Sequence, residues 1–254
     1  MPYQITISLP RLSRSRFAVI SLLAALLCCA FSPQLLAQQV AVTGKLELVR
    51  NNSTASQDFS EGVVWLTRTG DQVQHSASSV PRQQLLQRNK TFHPHLVVVP
   101  VGGQVVFPNK DPFFHNVFSL FDGKRFDLGL YEAGSSRAVT FDREGISYIF
   151  CNIHPEMSAV VVSLKTPYYG ISDARGAISI PDVPAGRYEL HVWHERAILE
   201  SLDSLVRTIS VNENAHSFGT LRVAEQPSPL KPHKNKYGQD YEAPSPTDPL
   251  YPHP

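Results

Sequence analysis

The 254-residue sequence predicts a mostly β protein, and three observations carry that expectation. Apolar residues fall in short runs bounded by Gly, Pro or Asn, the punctuation of strands and tight turns. Several of these runs alternate apolar and polar residues, the period of a half-buried strand. No stretch of useful length carries the 3.6-residue apolar period of an amphipathic helix. The net charge of +1 provides no global field, so neither nucleic acid nor an acidic membrane surface is implied as a partner.

At the start of the chain, Arg11, Arg14 and Arg16 precede the apolar run 17–31, and Leu35-Leu36-Ala37 ends on a small residue. This is the layout of a secretory signal peptide at 1–37, cleaved after Ala37. The alternative is an uncleaved anchor, for which the apolar run is short. The expected location is therefore the periplasm or the cell exterior, with a membrane association only if the segment is retained. Cys28 and Cys29 leave with the signal, so the mature chain keeps one of the 3 cysteines, Cys151. A single thiol in an exported chain has no internal disulfide partner and needs another explanation. The roughly 215 residues that remain suffice for one or two compact domains.

Residues 40–49 and 62–67 read as strands separated by a polar loop at 51–56, and 71–82 reads as a polar connection. Strands follow at 84–87 and 92–101, where Gly102-Gly103 turns the chain into 104–108, and 109–112 opens a loop toward His115. The stretch 145–151 puts Ile149 and Cys151 on one strand face and Tyr148 and Phe150 on the other, and 159–164 returns as a strand. Past Thr166, 168–180 reads as strand, turn, strand, 181–186 as a turn and 187–193 as another strand. The Pro-rich, polar tail at 225–254 is expected to be disordered.

Chemistry concentrates in Phe150-Cys151-Asn152-Ile153-His154-Pro155-Glu156-Met157, read with Asp111-Pro112-Phe113-Phe114-His115-Asn116-Val117 upstream. Cys151, His154 and Met157 stand at i, i+3 and i+6 on a loop between two apolar strands. Two residues between successive ligands let the backbone wrap around an ion, and Pro155 stiffens the turn because its ring fixes φ. A thiolate and two imidazoles with a weak thioether is the donor set of a blue-copper electron-transfer centre. His115, Cys151, His154 and Met157 are therefore the candidate metal ligands. Taken singly, each has a plainer reading as a buried thiol, a structural histidine or core filler, but those readings must coincide at four spaced positions. Zinc prefers a closed tetrahedral set without a thioether. A Cys151–His154 nucleophile pair lacks an orienting third group and an oxyanion-hole motif, so no catalytic residue is assigned and no enzyme is expected. His93 and His95 would share a strand face, but Pro94 interrupts it and no acid or thiol lies near them in sequence, so they read as structural or surface residues. His191 and His194, three apart on a strand, point to opposite faces and make a poor metal pair.

The pattern His-Asn-Val, then Gly-x-Tyr-x-Phe-Cys-x-x-His-x-x-Met, resembles the cupredoxins, the small blue copper proteins of the amicyanin and plastocyanin type, over 85–166. The resemblance implies a cupredoxin-like Greek-key β-sandwich at 84–166 holding one mononuclear type 1 copper. It implies a one-electron carrier that docks transiently with redox partner proteins and has no small-molecule substrate. It also implies that Asn116 braces the metal loop and that Phe113, Phe114 and Pro155 form an apolar docking patch around His154. A copper storage, delivery or sensing protein would use the same ligands, and a structural β-sandwich binding module would need none of them. A nitrite reductase or multicopper oxidase would need further His clusters that this sequence lacks. A second pattern, Asp173-x-x-Gly176-x-x-x-Ile180 followed by Pro184-x-Gly186-x-Tyr188-x-Leu190, is similar to the carboxypeptidase-regulatory or transthyretin-like module. It implies a smaller Ig/transthyretin-like β-sandwich at 167–224, possibly completed by 40–70, with the copper domain either inserted in it or preceding it. The combination resembles chains labelled methylamine-utilisation proteins, a label that implies no role with an amine dehydrogenase.

Overall fold

The structure is a computed structural model that describes residues 39–51, 53–54, 57–70, 82–120, 123–227 and 233–241. The expected signal peptide and nearly all of the 71–82 connection lie outside the described residues. The described residues begin with β1 (Gln39–Arg50), which buries Val42, Leu46 and Leu48 on alternating positions, then β2 (Ser53–Thr54) and β3 (Val63–Arg68). The chain next builds an inserted unit from β4 (Gln83–Gln84), β5 (Leu86–Arg88), β6 (Thr91–His93), β7 (Leu96–Pro100) and β8 (Gly103–Pro108). The same unit continues through β9 (His115–Ser119), β10 (Phe126–Tyr131), β11 (Ser136–Phe141), β12 (Gly145–Cys151) and β13 (Ser158–Leu164). The chain returns with β14 (Tyr169–Ile171), β15 (Ala177–Pro184), β16 (Gly186–Trp193), the short helix α1 (Leu199–Leu202), β17 (Arg207–Val211) and β18 (Ser217–Ala224). The protein is mostly β, and its strands pack as face-to-face sheets.

Strands from before and after the 82–166 stretch complete one another. One outer sheet has the order β15-β1-β18 with β2 on the edge of β1, and the other has the order β14-β3-β16-β17. β1 runs antiparallel to β15 and parallel to β18, while β3 lies antiparallel between β14 and β16. The two ends of the intervening stretch are tied together where they meet this outer sandwich. Leu66 N–H donates to the Tyr168 carbonyl at 2.9 Å, and the Thr166 hydroxyl donates to the Leu66 carbonyl at 2.7 Å.

Both patterned segments of the outer sandwich have local physical reasons. In the Asp173–Gly176 turn the Asp173 carboxylate accepts the Arg175 and Ala177 amides, an Asx-type turn. Gly176 closes that turn at φ +81°, and a Cβ there would meet the Leu46 carbonyl oxygen at 2.0 Å, so only glycine fits. Tyr188, fully buried, donates its hydroxyl back to the Pro184 carbonyl at 2.8 Å, which explains why proline and tyrosine stand four apart.

The inserted unit has a five-stranded sheet, β10-β9-β12-β13-β7, facing β11-β8-β4. Val105, Phe107 and Phe141 meet Val97, Val99, Val117, Ile149 and Val161 in its core. β7 and β13, parallel neighbours, serve two cores at once. Val97, Val99, Ala159 and Val161 face the inserted unit's interior, while Leu96, Val98, Val160, Val162 and Leu164 join the core of the outer sandwich. Burial on both faces is why these strands read as unbroken apolar runs and not as alternations. The larger sheet thus stands rigidly between two hydrophobic cores, and Cys151 sits at the end of one of its central strands.

The tail departs from expectation. Residues 233–241, within the stretch expected to be disordered, fold as a compact turn on the inserted unit. Asn235 organises the turn by accepting the Tyr237 and Gln239 amides on its side chain. Its anchors are aromatic and charged side chains that composition alone counts as polar tail: the His233 ring stacks on Phe150 with centroids 4.2 Å apart. The remainder of the expected tail that lies at 228–232 and 242–254 is outside the described residues.

His194 supplies a pH prediction for the fold. It is buried with its Nε2–H donating to the Ser60 carbonyl and its Nδ1 accepting the Arg196 amide, so both ring nitrogens are satisfied only when the ring is neutral. Burial holds its pKa down to about 4. The unfolded ring takes up a proton near ~6.5, so the unfolded state binds more protons between those values and stability falls as pH drops through that window. The urea midpoint is expected to decline from pH 7 to pH 4, and His194→Gln is expected to flatten that decline.

Candidate metal centre

Three of the four candidate ligands converge. β9 begins at His115, β12 ends at Cys151, and the antiparallel pairing of these strands sets Cys151 opposite Val117. His154 lies in the loop that joins β12 to β13. Cys151 Sγ is 3.6 Å from His115 Nδ1 and 3.4 Å from His154 Nδ1. All three ligand atoms lie within 4.8 Å of one another, and among the described residues this is the one such group of metal-binding side chains. Two N or S donors bound roughly 2.0–2.3 Å from a first-row ion stand roughly 3.5–3.8 Å apart, so the spacing fits one shared ion.

The loop is closed by its own backbone. Cys151 N–H donates to the Met157 carbonyl at 3.2 Å, and Met157 N–H donates to the His154 carbonyl at 3.1 Å. Met157 is fully buried in the same core as Cys151, which places the fourth candidate inside the unit at the exit of the metal loop.

Burial prepares the donor atoms. His115 and Cys151 are fully buried and His154 nearly so. Desolvation pushes the His154 pKa down to about 4, helped by the neighbouring His115 and Lys90 charges. Desolvation likewise lowers His115, against the pull of Asp111. Both imidazoles are therefore neutral near pH 7, the form in which they bind metal. Burial raises the Cys151 thiol, opposed by the backbone N–H groups of Asn116, Ile153 and His154 that point at the sulfur. A buried thiol with N–H donors but no counter-charge becomes a thiolate when a cation replaces its proton.

Two groups that were not candidates from sequence hold His115. Asp111 Oδ2 lies 2.8 Å from His115 Nε2, so the ring donates from Nε2 and leaves Nδ1 facing the sulfur. Asp111 itself accepts the amides of Asn89 and Lys90 at 2.5 and 3.0 Å, from a turn in which both residues have φ near 55°. Asn109, fully buried, accepts the Asp111 amide on Oδ1 and donates from Nδ2 to the Phe113 carbonyl. The sequence signal for Asp111 was its position four residues before His115. Such a carboxylate–histidine pair orients the ligand and raises its basicity.

The remaining candidates fall differently. Asn116 braces the loop with its backbone: its carbonyl accepts the Asn152 amide at 2.8 Å and its N–H points at Cys151 Sγ. Its side chain turns away from the metal loop to donate to Asp127 at 2.6 Å. Phe113 is half-buried, with its ring 5.4 Å from His115 and 5.5 Å from His154, so it packs the histidines. Phe114, 54% exposed, and the exposed Pro155 lie at the surface. His93, His95 and His191 stay apart from the centre, whereas His233 stacks on Phe150, the residue before Cys151. His95 pairs with Glu195 at 2.6 Å, His93 bonds Thr91, and His191 stacks on Trp65.

Asp111→Asn removes the charge that orients His115. A loss of about 10–100-fold in Co(II) affinity is expected, read by competition with a chromophoric chelator, since Co(II) reports the thiolate without oxidising it.

No protein-family model matches the chain, and no curated protein matches it at a significant level. Solved structures similar to it include a purple cupredoxin from Nitrosopumilus maritimus, 24% identical over 32% of this chain and 99% of that one, with a TM-score of 0.30. A copper-containing nitrite reductase from Thermus scotoductus SA-01 is 21% identical over 37% of this chain and 25% of its own, with a TM-score of 0.33. A reduced amicyanin mutant is 21% identical over 33% of this chain and 82% of its own, with a TM-score of 0.31. These likenesses are partial and span about a third of the chain.

Proposed function

We propose that the mature chain is an exported type 1 copper protein that carries single electrons between transient protein partners. The observation that supports it is the convergence of one buried thiol and two neutral imidazoles, Cys151, His115 and His154, with Met157 buried in the same loop. That donor set, soft sulfur with two imidazoles, suits copper. His115 and His154 would hold the ion through Nδ1 and Cys151 through Sγ, with the Met157 thioether as a weak fourth donor. Bound copper would supply a one-electron couple.

The chain's own contribution is to hold those donors still and dry. Two hydrophobic cores clamp the sheet that ends in Cys151, Asp111 orients His115, and three N–H groups receive the sulfur charge. Donors that do not move between oxidation states add little reorganisation to electron transfer. His154, 8% exposed, lies closest to solvent among the three ligands, beside Pro155. The exposed side chains of Phe114 and Pro155 are the proposed docking contact, and a small apolar contact suits a partner that must leave quickly. In this reading the chain has no catalytic group, no small-molecule substrate and no nucleic-acid partner. Residues 1–37 direct export, with a membrane association only if they are retained. The outer sandwich is read as a carboxypeptidase-regulatory-like module that positions the copper unit.

The test is the visible spectrum of the metal-free protein after one equivalent of Cu(II), beside Cys151→Ser. An intense thiolate-to-copper charge-transfer band that vanishes in the variant, with a reversible one-electron wave, is the expected outcome. A colourless complex, or colour that survives the substitution, would overturn the proposal.

A further inference from the structure

The C-terminal turn at 233–241 touches the metal loop at more points than a packed tail needs. Tyr241 donates its hydroxyl to the Cys151 carbonyl at 2.6 Å. On the other side of that same peptide unit, the Asn152 amide donates to the Asn116 carbonyl at 2.8 Å. Both polar atoms of the Cys151–Asn152 peptide are thereby pinned, one by the strand that carries His115 and one by the tail.

Lys236 closes a ring around the same peptide. Its backbone N–H donates to Asn152 Oδ1 at 2.9 Å, and its ammonium contacts Asp127 Oδ2 at 2.7 Å. Asp127 Oδ1 accepts the Asn116 side-chain amide at 2.6 Å, and the Asn116 carbonyl accepts the Asn152 amide. Asn116, Asp127, Lys236 and Asn152 therefore form a closed circuit of hydrogen bonds. It joins the neighbour of one ligand, His115, to the neighbour of another, Cys151, and one of its four corners comes from the tail. His233 anchors the turn by stacking on Phe150, the residue before Cys151, and its Nδ1 lies 3.2 Å from the Tyr241 hydroxyl.

We infer that Lys236 and Tyr241 are positioning residues for the metal centre, supplied by a C-terminal strap that locks the Cys151 loop to the His115 strand. The physical case is local. The strand ladder leaves the carbonyl of Cys151 and the side chain of Asn152 without β-sheet partners at the point where β12 ends, and a loop end of that kind opens readily. The strap satisfies both groups, so opening the loop means breaking its contacts as well as the loop's own. The strap also explains the direction of the Asn116 side chain, which serves the ring through Asp127 instead of the sulfur.

The inference deepens the copper reading, and it is tested first on the metal-free full chain, where that reading has no part. The measurement is the rate at which Cys151 is alkylated, followed by peptide-resolved mass spectrometry. Tyr241→Phe and Lys236→Met are each expected to raise the rate by about fivefold, the opening expected for one lost hydrogen bond, with the denaturation midpoint of the whole fold little changed. Lys236→Arg restores the pair with Asp127 and is expected to restore slow alkylation. Gln239→Ala, whose exposed side chain lies outside the circuit, is expected to react like the parent. In the Cu(II) form the first two variants are expected to shift the charge-transfer band and speed copper release to a chelator. Unchanged alkylation in both variants, or a rise that only tracks global destabilisation, would overturn the strap. A parent protein without a thiolate band would instead remove the copper reading and leave the alkylation rates to decide the strap.

Discussion

Three polar donor atoms meeting inside an apolar core is the constraint on which the inserted unit depends. Cys151 Sγ lies 3.6 Å from His115 Nδ1 and 3.4 Å from His154 Nδ1, and all three residues are buried. A buried polar atom without a partner is costly, and the surroundings answer that cost at His115 and at the sulfur. Asp111 takes the far nitrogen of His115, and backbone amides of Asn116, Ile153 and His154 face the sulfur. What these arrangements leave open is the inner side of the cluster, where a cation would satisfy all three donors together.

Rigidity around that cluster comes from a sheet that cannot move toward either side. β7 and β13 bury one row of side chains in the inserted core and the other in the outer sandwich, and Tyr148 of β12 meets Trp193 of β16 edge to face. Shifting the register of either strand by one residue would exchange the two rows and spoil both cores. The outer sandwich, whatever else it does, therefore contributes to the stiffness of the sheet that carries Cys151.

Parts of this were readable along the chain because they depend on neighbours in sequence. The Cys-x-x-His-x-x-Met spacing lies on one loop, so the donors it brings together can be named without knowing where the rest of the chain goes. The Asp173–Gly176 turn is equally local, since Asp173 caps its own turn and the positive φ of Gly176 belongs to one residue. β10 and β11 were not assigned as strands from sequence. Of the residues of β11 only Val139 and Phe141 are buried, too sparse a pattern to stand out. The uninterrupted apolar runs of β7 and β13 read as strands, but their meaning, two cores and not one, required seeing what lies on each face.

The sequence by itself determined the mostly β character, the Asp173–Gly176 turn and the residue types that gather at the end of β12, because strand periodicity, glycine conformations and short spacings act over a few residues; the turn expected at 181–186 is instead largely strand, since β15 runs on to Pro184. Tertiary structure decided which carboxylate serves His115, where the Asn116 side chain points, and that residues 233–241 fold back onto the loop after Cys151. Asp127, Asn152 and Lys236 are separated by long stretches of chain, and their charges and amides look like ordinary surface residues until the fold brings them together. Composition measures a segment's own capacity to bury surface, and residues 233–241 find order on a surface that belongs to Phe118, Phe150 and the loop after Cys151.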